Sequence, residues 1–587
     1  MDNKESVKKE NKMKATDFIF IGVLVLLPFI HLFNGVEFTD TAYSLGNYEN
    51  LSNMNMTWTI ATFWANVLGK AFTMLPMGNM WIGMKFYTTL VPVATIIVSY
   101  LFLRKYIPKW ILFIGEILAV SMFWCPTTIL YNYLTYFLFT VVVVLIVYSL
   151  EKQSSLGLLA AGIVLAFSVF TRFPNITEAA LIVVVWLDSL INKRKFSKGL
   201  ANTFLCIGGF LVGVGINVGI ISLKYGFNSI PDMIASLFSM TDESTGYKPK
   251  QMIIDILTSY ITYTKSYVVL VGIALLVFVL GAIVRKHFMR VAFCVAEVIL
   301  YGVFLVWAYR SAGVFNLNYS EYASIYFWMT VFLLLANIFA IWSLLRKRTD
   351  SVHKLLALST VVIVWITPLG SNNVLYPAFN NLCIVAPVTL YMLWNELFRG
   401  RNFYELIDME SKYSMVATRI IVFLLVVSIM FQSLIFGFVF VFRDTGFFYN
   451  NHYAIENNEV LKGMHTNADN AALISELTVF VRENEMENEK AIFYGDLPGL
   501  EYILKMPCAI SHTWPNLASY TVKEFENDIN KLDGCPVIFV NEKFVPDIFD
   551  LTEDATEKEC ILSEYMESNG YSLAIRIQNI AVYTVDN

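Results

Sequence analysis

Charged residues make up only 15% of this chain, where about 25% is usual for a soluble domain. That shortage excludes an ordinary water-soluble enzyme, which needs the missing charge on its surface. Disorder is excluded too, because 57% of the residues are hydrophobic and disordered chains combine low hydrophobicity with high net charge. Cysteine is sparse, with 7 in the whole chain, too few for a disulfide-held scaffold. Cys125, Cys206, Cys294 and Cys383 fall in apolar runs, where a thiol is a small hydrophobe, and Cys508, Cys535 and Cys560 fall in the last quarter. No spacing of His, Cys or carboxylates suggests a metal. Basic residues form short clusters at the ends of apolar runs rather than an aromatic-interleaved face, which excludes nucleic acid as a partner.

What the chain has in abundance is long apolar runs, and an apolar stretch near 20 residues can cross a bilayer as a helix with its backbone satisfied internally. About thirteen occur, at 18–34, 80–103, 110–125, 129–149, 155–171, 175–191, 200–222, 266–284, 291–308, 322–345, 354–370, 379–398 and 417–442. The expected fold is a polytopic α-helical membrane protein with about 13 transmembrane helices and a small exported C-terminal α/β domain. The expected organisation is a basic cytoplasmic N-terminus at 1–17, a transmembrane domain at 18–442, and a terminal domain at 443–587. Within residues 1–442, loops alternating from a cytoplasmic N-terminus assign 24 Lys+Arg to the inside and 8 to the outside. The positive-inside rule therefore predicts a plasma-membrane protein with its terminal domain outside the cell. That domain is acidic, with 25 Asp+Glu against 10 Lys+Arg.

Two exported loops are long, at 35–79 and 223–265, and long loops in compact proteins carry function. In the first, Ile60, Trp64, Val67, Ala71, Phe72 and Leu75 recur at helical spacing opposite Thr59, Thr62, Asn66 and Lys70. The pattern predicts a helix lying in the membrane interface. In the terminal domain the pattern predicts helices at 467–484 and 522–532, strands at 491–494 and 537–540, and a hairpin of 571–577 with 580–585.

The strongest chemical signal is VEFTDTAYSLGNY, residues 36–48, just outside the first helix. Glu37 and Asp40, three apart on a turn, can face one site at the depth of a lipid head group. A carboxylate against apolar surroundings holds a raised pKa and can take a proton from an alcohol at neutral pH. The bland reading is a pair of solvated acids at a helix exit. Arg172 in FTRFPN, Arg310 in WAYRSAG and Lys85 in WIGMKFY stand near exported helix ends, where a cation can hold a lipid phosphate or simply snorkel to the interface. Tyr43, Asn372 and Asn373 can hydrogen-bond sugar hydroxyls, and the YNYLTY run at 131–136 can do the same or pair helices.

Together these features resemble the GT-C superfamily of membrane glycosyltransferases, in particular its bacterial dolichyl-phosphate-mannose-like and lipid A aminoarabinose-like branches. The resemblance is carried by EFTDTAYSLGNY, the interfacial pattern after it, the Arg-Phe-Pro step, and GDLPGLEYILKMPCAISHTWPN at 495–516. It implies a polyprenyl-phosphate sugar donor, inverting transfer, and a catalytic acid in the first exported loop, which maps to Asp40 with Glu37 beside it. Metal-dependent relatives carry Asp-x-Asp in that loop and this chain does not, so no metal cofactor is expected. The acceptor is not identified by the sequence. The competing readings are a transporter or flippase of lipid-linked sugars, which would be expected to show duplicated halves, and a polysaccharide polymerase or ligase.

Overall fold

The computed structural model describes residues 13–585 except 53, 240–249, 264, 266–271, 273–286, 311–316, 372, 397–411 and 554. Among the described residues, six helices are long and apolar enough to cross a membrane: Trp81–Leu103, Leu130–Lys152, Phe173–Ile191, Phe196–Tyr225, Ala323–Leu345 and Arg419–Val439. Shorter apolar helices cover Ala15–Phe29, Ser155–Val169, Ser351–Ile366 and Val385–Trp394. The expected run at 266–284 lies almost wholly outside the described residues, as do Asp242, Glu243 and Lys248 of the second long loop. The run at 175–191 opens as a 3-10 helix, Phe173–Leu181, and becomes α-helical only at Ile182–Ile191. Pro174 sits at its first turn, where its missing N–H costs no helical hydrogen bond.

The first long loop holds three helices, Asp40–Glu49, Met56–Ala61 and Phe63–Thr73, which corrects the single interfacial helix expected there. Thr62 leaves the helical region and breaks the last two apart. The face expected to be polar and outward is partly interior, with Thr59 and Asn66 buried. Asn66 Nδ2 donates to the Trp58 and Thr59 carbonyls at 3.2 and 3.3 Å and to Thr62 Oγ1 at 3.0 Å, so it satisfies the groups that the break exposes. Trp64 Nε1 donates to Asn217 Oδ1 at 2.6 Å, tying the loop to the Phe196–Tyr225 helix.

The chain from 453 onward forms β1 (Tyr453–Ala454), β2 (His465–Thr466), β3 (Ala491–Tyr494), β4 (Val537–Asn541), β5 (Tyr571–Ile577) and β6 (Ile580–Val585). The last four make one sheet in the order β3-β4-β6-β5, with β3 and β4 parallel and the other pairs antiparallel. The expected helices and hairpin are present, and a further helix, Glu557–Ser568, is added. A parallel pair requires a crossover connection. Here the crossover is the segment between Tyr494 and Val537, and it lies against the first long loop. Gly499 N–H donates to the Phe38 carbonyl at 2.8 Å, and a Cβ on Gly499 would stand 2.3 Å from the Ala42 Cβ, so only glycine permits the approach. Lys505 pairs with Glu49 at 2.9 Å, and Asn50 Nδ2 donates to Glu501 Oε1 at 2.7 Å. The crossover segment of the small sheet is thereby fixed along the Asp40–Glu49 helix, from its first turn to its C-cap.

Candidate active site

A helix N-terminus leaves amide hydrogens without partners, and in the Asp40–Glu49 helix Glu37 supplies them. Its carboxylate accepts from the amides of Thr39 at 2.7 Å, Asp40 at 3.1 Å and Thr41 at 2.7 Å, and from the Thr39 hydroxyl. Only 5% of its side chain is exposed. Asp40 makes no such commitment. Its carboxylate is 30% exposed and points at Arg443, whose Nη2 is 3.1 Å from Asp40 Oδ2. Arg443 also reaches Thr39 Oγ1 at 2.6 Å and Glu37 Oε1 at 3.9 Å. Two carboxylates and one guanidinium thus form a single cluster.

Burial pushes Glu37 up to about 7, and the Asp40 charge adds to this, against the opposing pull of the helix amides and Arg443. Asp40 is also raised by burial, lowered by Arg443 and raised by Asp496 of the crossover segment. Like charges this close hold one proton between them more readily than none.

Arg443 was not anticipated from the sequence. It follows the last apolar helix and adopts φ +48°. Asp444 beside it accepts from Val36 N at 3.2 Å, Thr466 Oγ1 at 2.5 Å and Asn467 Nδ2 at 2.8 Å, pinning this connection to both the first loop and the small sheet.

Of the other expected residues, Arg172 donates to the Gly370 carbonyl at 3.1 Å. Gly370 has φ +79°, and a Cβ there would lie 2.2 Å from Pro174. The YNYLTY run pairs segments: Tyr133 Oη accepts from Thr127 N at 3.0 Å, and Asn175 Nδ2 donates to Thr135 Oγ1 at 2.8 Å.

Lys85 is neither a snorkelling side chain nor a free cation. Only 3% of it is exposed, and Nζ donates to the carbonyls of His31 at 3.0 Å and Asn34 at 2.5 Å. The backbone turning out of the first helix needs those donors. Arg310 is exposed at the end of the His287–Arg310 helix and, among the described residues, makes no bond to the carboxylate cluster. Asn373 is exposed in a turn, and Asn372 lies outside the described residues. Tyr43 is brought to the cluster, one helical turn beyond Asp40, with its hydroxyl 3.1 Å from His512 Nε2.

One hollow reaches the cluster through Glu37, and a second adjoins the first. The first is lined by His31, Glu37, Trp81, Lys85, Thr127 and Phe442. The second is a small hollow lined by Leu27, Pro28, Ile30, Trp124, Gly437 and Phe438, and both hollows share Cys125. Among the described residues no group of three His, Cys, Asp or Glu could hold a metal ion. The counter-charge beside the two carboxylates is a guanidinium, so the donor set present among the described residues does not fit a divalent cation.

These features describe an apolar helical bundle with an acid–arginine cluster covered by a small α/β sheet. No protein-family model matches the chain, and no curated protein matches it. Solved structures do. One is the archaeal oligosaccharyltransferase AglB from Archaeoglobus fulgidus in complex with an inhibitory peptide and a dolichol-phosphate, at 11% identity and TM-score 0.48, covering 97% of this chain and 74% of that one. The oligosaccharyltransferase of the same organism tethered to an acceptor peptide matches at 12% identity and TM-score 0.47, over 98% and 74%. ArnT from Cupriavidus metallidurans matches at 11% identity and TM-score 0.39, over 97% and 98%. Each of these three is at most 12% identical to this chain and has a TM-score below 0.5.

Proposed function

We propose that the protein is a glycosyltransferase that moves a sugar, with inversion, from a polyprenyl-phosphate donor to an acceptor hydroxyl at the outer face of the plasma membrane. The observation that carries this reading is the Glu37–Asp40–Arg443 cluster. Glu37 is spent on capping the helix, which leaves Asp40 as the carboxylate able to take the acceptor's proton. Arg443 balances the pair in the free protein. On donor binding it shares the lipid phosphate with Arg172, so that negative charge developing on the leaving group meets a planar cation. The apolar side chains Leu27, Pro28, Trp124 and Phe438 beside the second hollow offer a surface for the polyprenyl chain. Tyr43 and the loop around Asn372 and Asn373 offer polar groups to the sugar and acceptor, while Arg310 remains a candidate for the lipid phosphate only if the donor extends to it.

The test is release of polyprenyl phosphate from a synthetic radiolabelled donor by protein purified in detergent. Matched release by wild type and by an Asp40→Asn, Glu37→Gln double variant would overturn the reading. The pH profile provides a further expected result. Because the base acts ionised, kcat/KM rises with pH as the raised pair loses its protons, Glu37 at about 7 and Asp40 above the usual aspartate range. In Glu37→Gln the neighbouring charge is gone, so Asp40 ionises more easily and the acid limb moves to lower pH. A limb that stays in place assigns the titration elsewhere.

Two further expected outcomes concern topology and Lys85. Cys535 and Cys560 are exposed, so an impermeant thiol reagent labels them on intact cells; labelling only after lysis would place the domain inside. Lys85→Met leaves two buried carbonyls without their donor, at about 1–3 kcal/mol each. It therefore lowers the melting temperature in detergent more than it lowers the turnover of the protein that remains folded, and the reverse ordering would return Lys85 to the phosphate site.

A further inference from the structure

The small sheet does more than cover the Asp40–Glu49 helix, because it sends one imidazole into contact with it. His512 Nε2 lies 3.1 Å from the Tyr43 hydroxyl, and the two rings stack with centroids 5.3 Å apart. The far side of the imidazole decides which atom donates. The Trp514 backbone N–H donates to His512 Nδ1 at 3.1 Å, so a neutral ring carries its hydrogen on Nε2. Burial, reinforced by the nearby Lys558 charge, lowers the imidazole to about 3 and keeps it neutral at any ordinary pH. Tyr43 Oη is therefore the acceptor in this bond, and its own hydroxyl hydrogen is left to donate.

The imidazole cannot easily turn away. Tyr520 stacks on it at 5.0 Å and Trp58 meets it edge-on at 6.2 Å. The 515–520 backbone is held by Lys558, whose Nζ donates to the carbonyls of Pro515 at 2.7 Å, Leu517 at 3.0 Å and Tyr520. Trp514 in turn donates through Nε1 to Asp496 Oδ1 at 2.7 Å, and the Asp496 charge reaches Asp40. Asp40 and Tyr43 are three residues apart on the Asp40–Glu49 helix, so their side chains share one face of it. The charges of Glu501 and Asp40 both act on the phenol, which also interacts with Asn47 one turn further on.

We infer that His512 is a positioning residue: it locks the Tyr43 hydroxyl as a hydrogen-bond donor to an oxygen of a polyhydroxylated acceptor held beside Asp40. This rests on the glycosyltransferase reading above. It makes the terminal domain part of acceptor recognition, acting through Tyr43 and not by touching the reacting atoms.

The test uses full-length protein in membranes of the producing cells, with the chromosomal copy removed, radiolabelled polyprenyl-phosphate mannose and polyprenyl-phosphate arabinose as donors, and the membranes' own acceptors titrated by dilution. Tyr43→Phe and His512→Leu each raise the apparent acceptor KM about tenfold, the scale of one hydrogen bond, with a smaller change in kcat. His512→Gln, which can still place an N–H near Nε2, recovers most of the loss, and the Tyr43→Phe, His512→Leu double variant is no worse than either single one. In ¹⁵N-histidine-labelled protein, His512 shows the neutral Nε2–H form from pH 5 to 8. Additive losses, a His512→Gln no better than His512→Leu, or an Nδ1–H tautomer would each overturn the inference. Absence of wild-type transfer from either donor would instead count against the reading on which it rests, and the inference would fall with it.

Discussion

Asp40→Asn lowers sugar transfer by roughly 10²- to 10⁴-fold, the range typical of a lost general base, while the protein still folds in the membrane. Asparagine keeps the size of aspartate and much of its hydrogen bonding. The substitution therefore separates basicity from packing, and the geometry favours a clean result. Asp40 caps nothing through its carboxylate and is bound there by Arg443, whereas Glu37 accepts three backbone amides. Glu37→Gln consequently costs less activity than Asp40→Asn and more stability, since a neutral amide accepts those bonds less well. Initial rates from matched amounts of purified variants, with melting temperatures alongside, read both effects. A larger rate loss in Glu37→Gln than in Asp40→Asn would mean that the roles are reversed.

Arg443→Ala lowers kcat/KM by about 10²- to 10³-fold, comparable to removal of a donor from a preorganised oxyanion site. Arg443→Lys restores only part of it, because a point charge cannot bridge two oxygens as a planar fork does. Two opposed effects are at work. Losing the cation raises the carboxylates further and strengthens Asp40 as a base, but it removes the counter-charge for the leaving phosphate. The second dominates if phosphate departure limits the rate. The acid limb of the pH profile then moves upward in Arg443→Ala even as the plateau falls, since the Arg443 charge lowers both carboxylates, for Glu37 alongside the helix amides. A variant with wild-type turnover would confine Arg443 to holding the 443–444 connection in place. Arg172→Ala lowers kcat/KM less than Arg443→Ala, since its guanidinium is anchored at the Gly370 carbonyl and not in an ion pair with Asp40.

The parts of this site that were legible in the sequence are the local ones. Glu37, Asp40 and Tyr43 lie within one short stretch that exits an apolar run, and helical spacing alone puts them on one helix start. The tail's strands and hairpin were equally legible, because short apolar runs separated by polar turns such as Gln578-Asn579 have a period that can be counted. The site's other half arrives from far away in the chain. Thr39 and Arg443 are 404 residues apart, and Tyr43 and His512 are 469 apart. No periodicity reports such contacts. One signal for Arg443 did exist: it is a basic residue directly after the last apolar run, on the face where the positive-inside rule places few. Lys85 looked the same by that criterion and proved different, because the turn after the first helix folds over it and takes its donors. The break at Thr62 was hidden for a related reason. The apolar spacing runs on across it, and only the side chain of Asn66, bonding back to Trp58 and Thr59, betrays the kink.

The most direct test of the central claim distinguishes transfer from transport in one vessel. The protein is reconstituted into proteoliposomes with a synthetic polyprenyl-phosphate sugar labelled in the sugar, and acceptor extract is supplied on the side bearing the exposed Cys535 and Cys560. The account predicts that label leaves the lipid and enters acceptor with inverted anomeric configuration, that free polyprenyl phosphate accumulates in equal amount, and that Asp40→Asn abolishes both. Intact donor crossing to the other leaflet without cleavage of the sugar–phosphate bond, unchanged by Asp40→Asn, would contradict it.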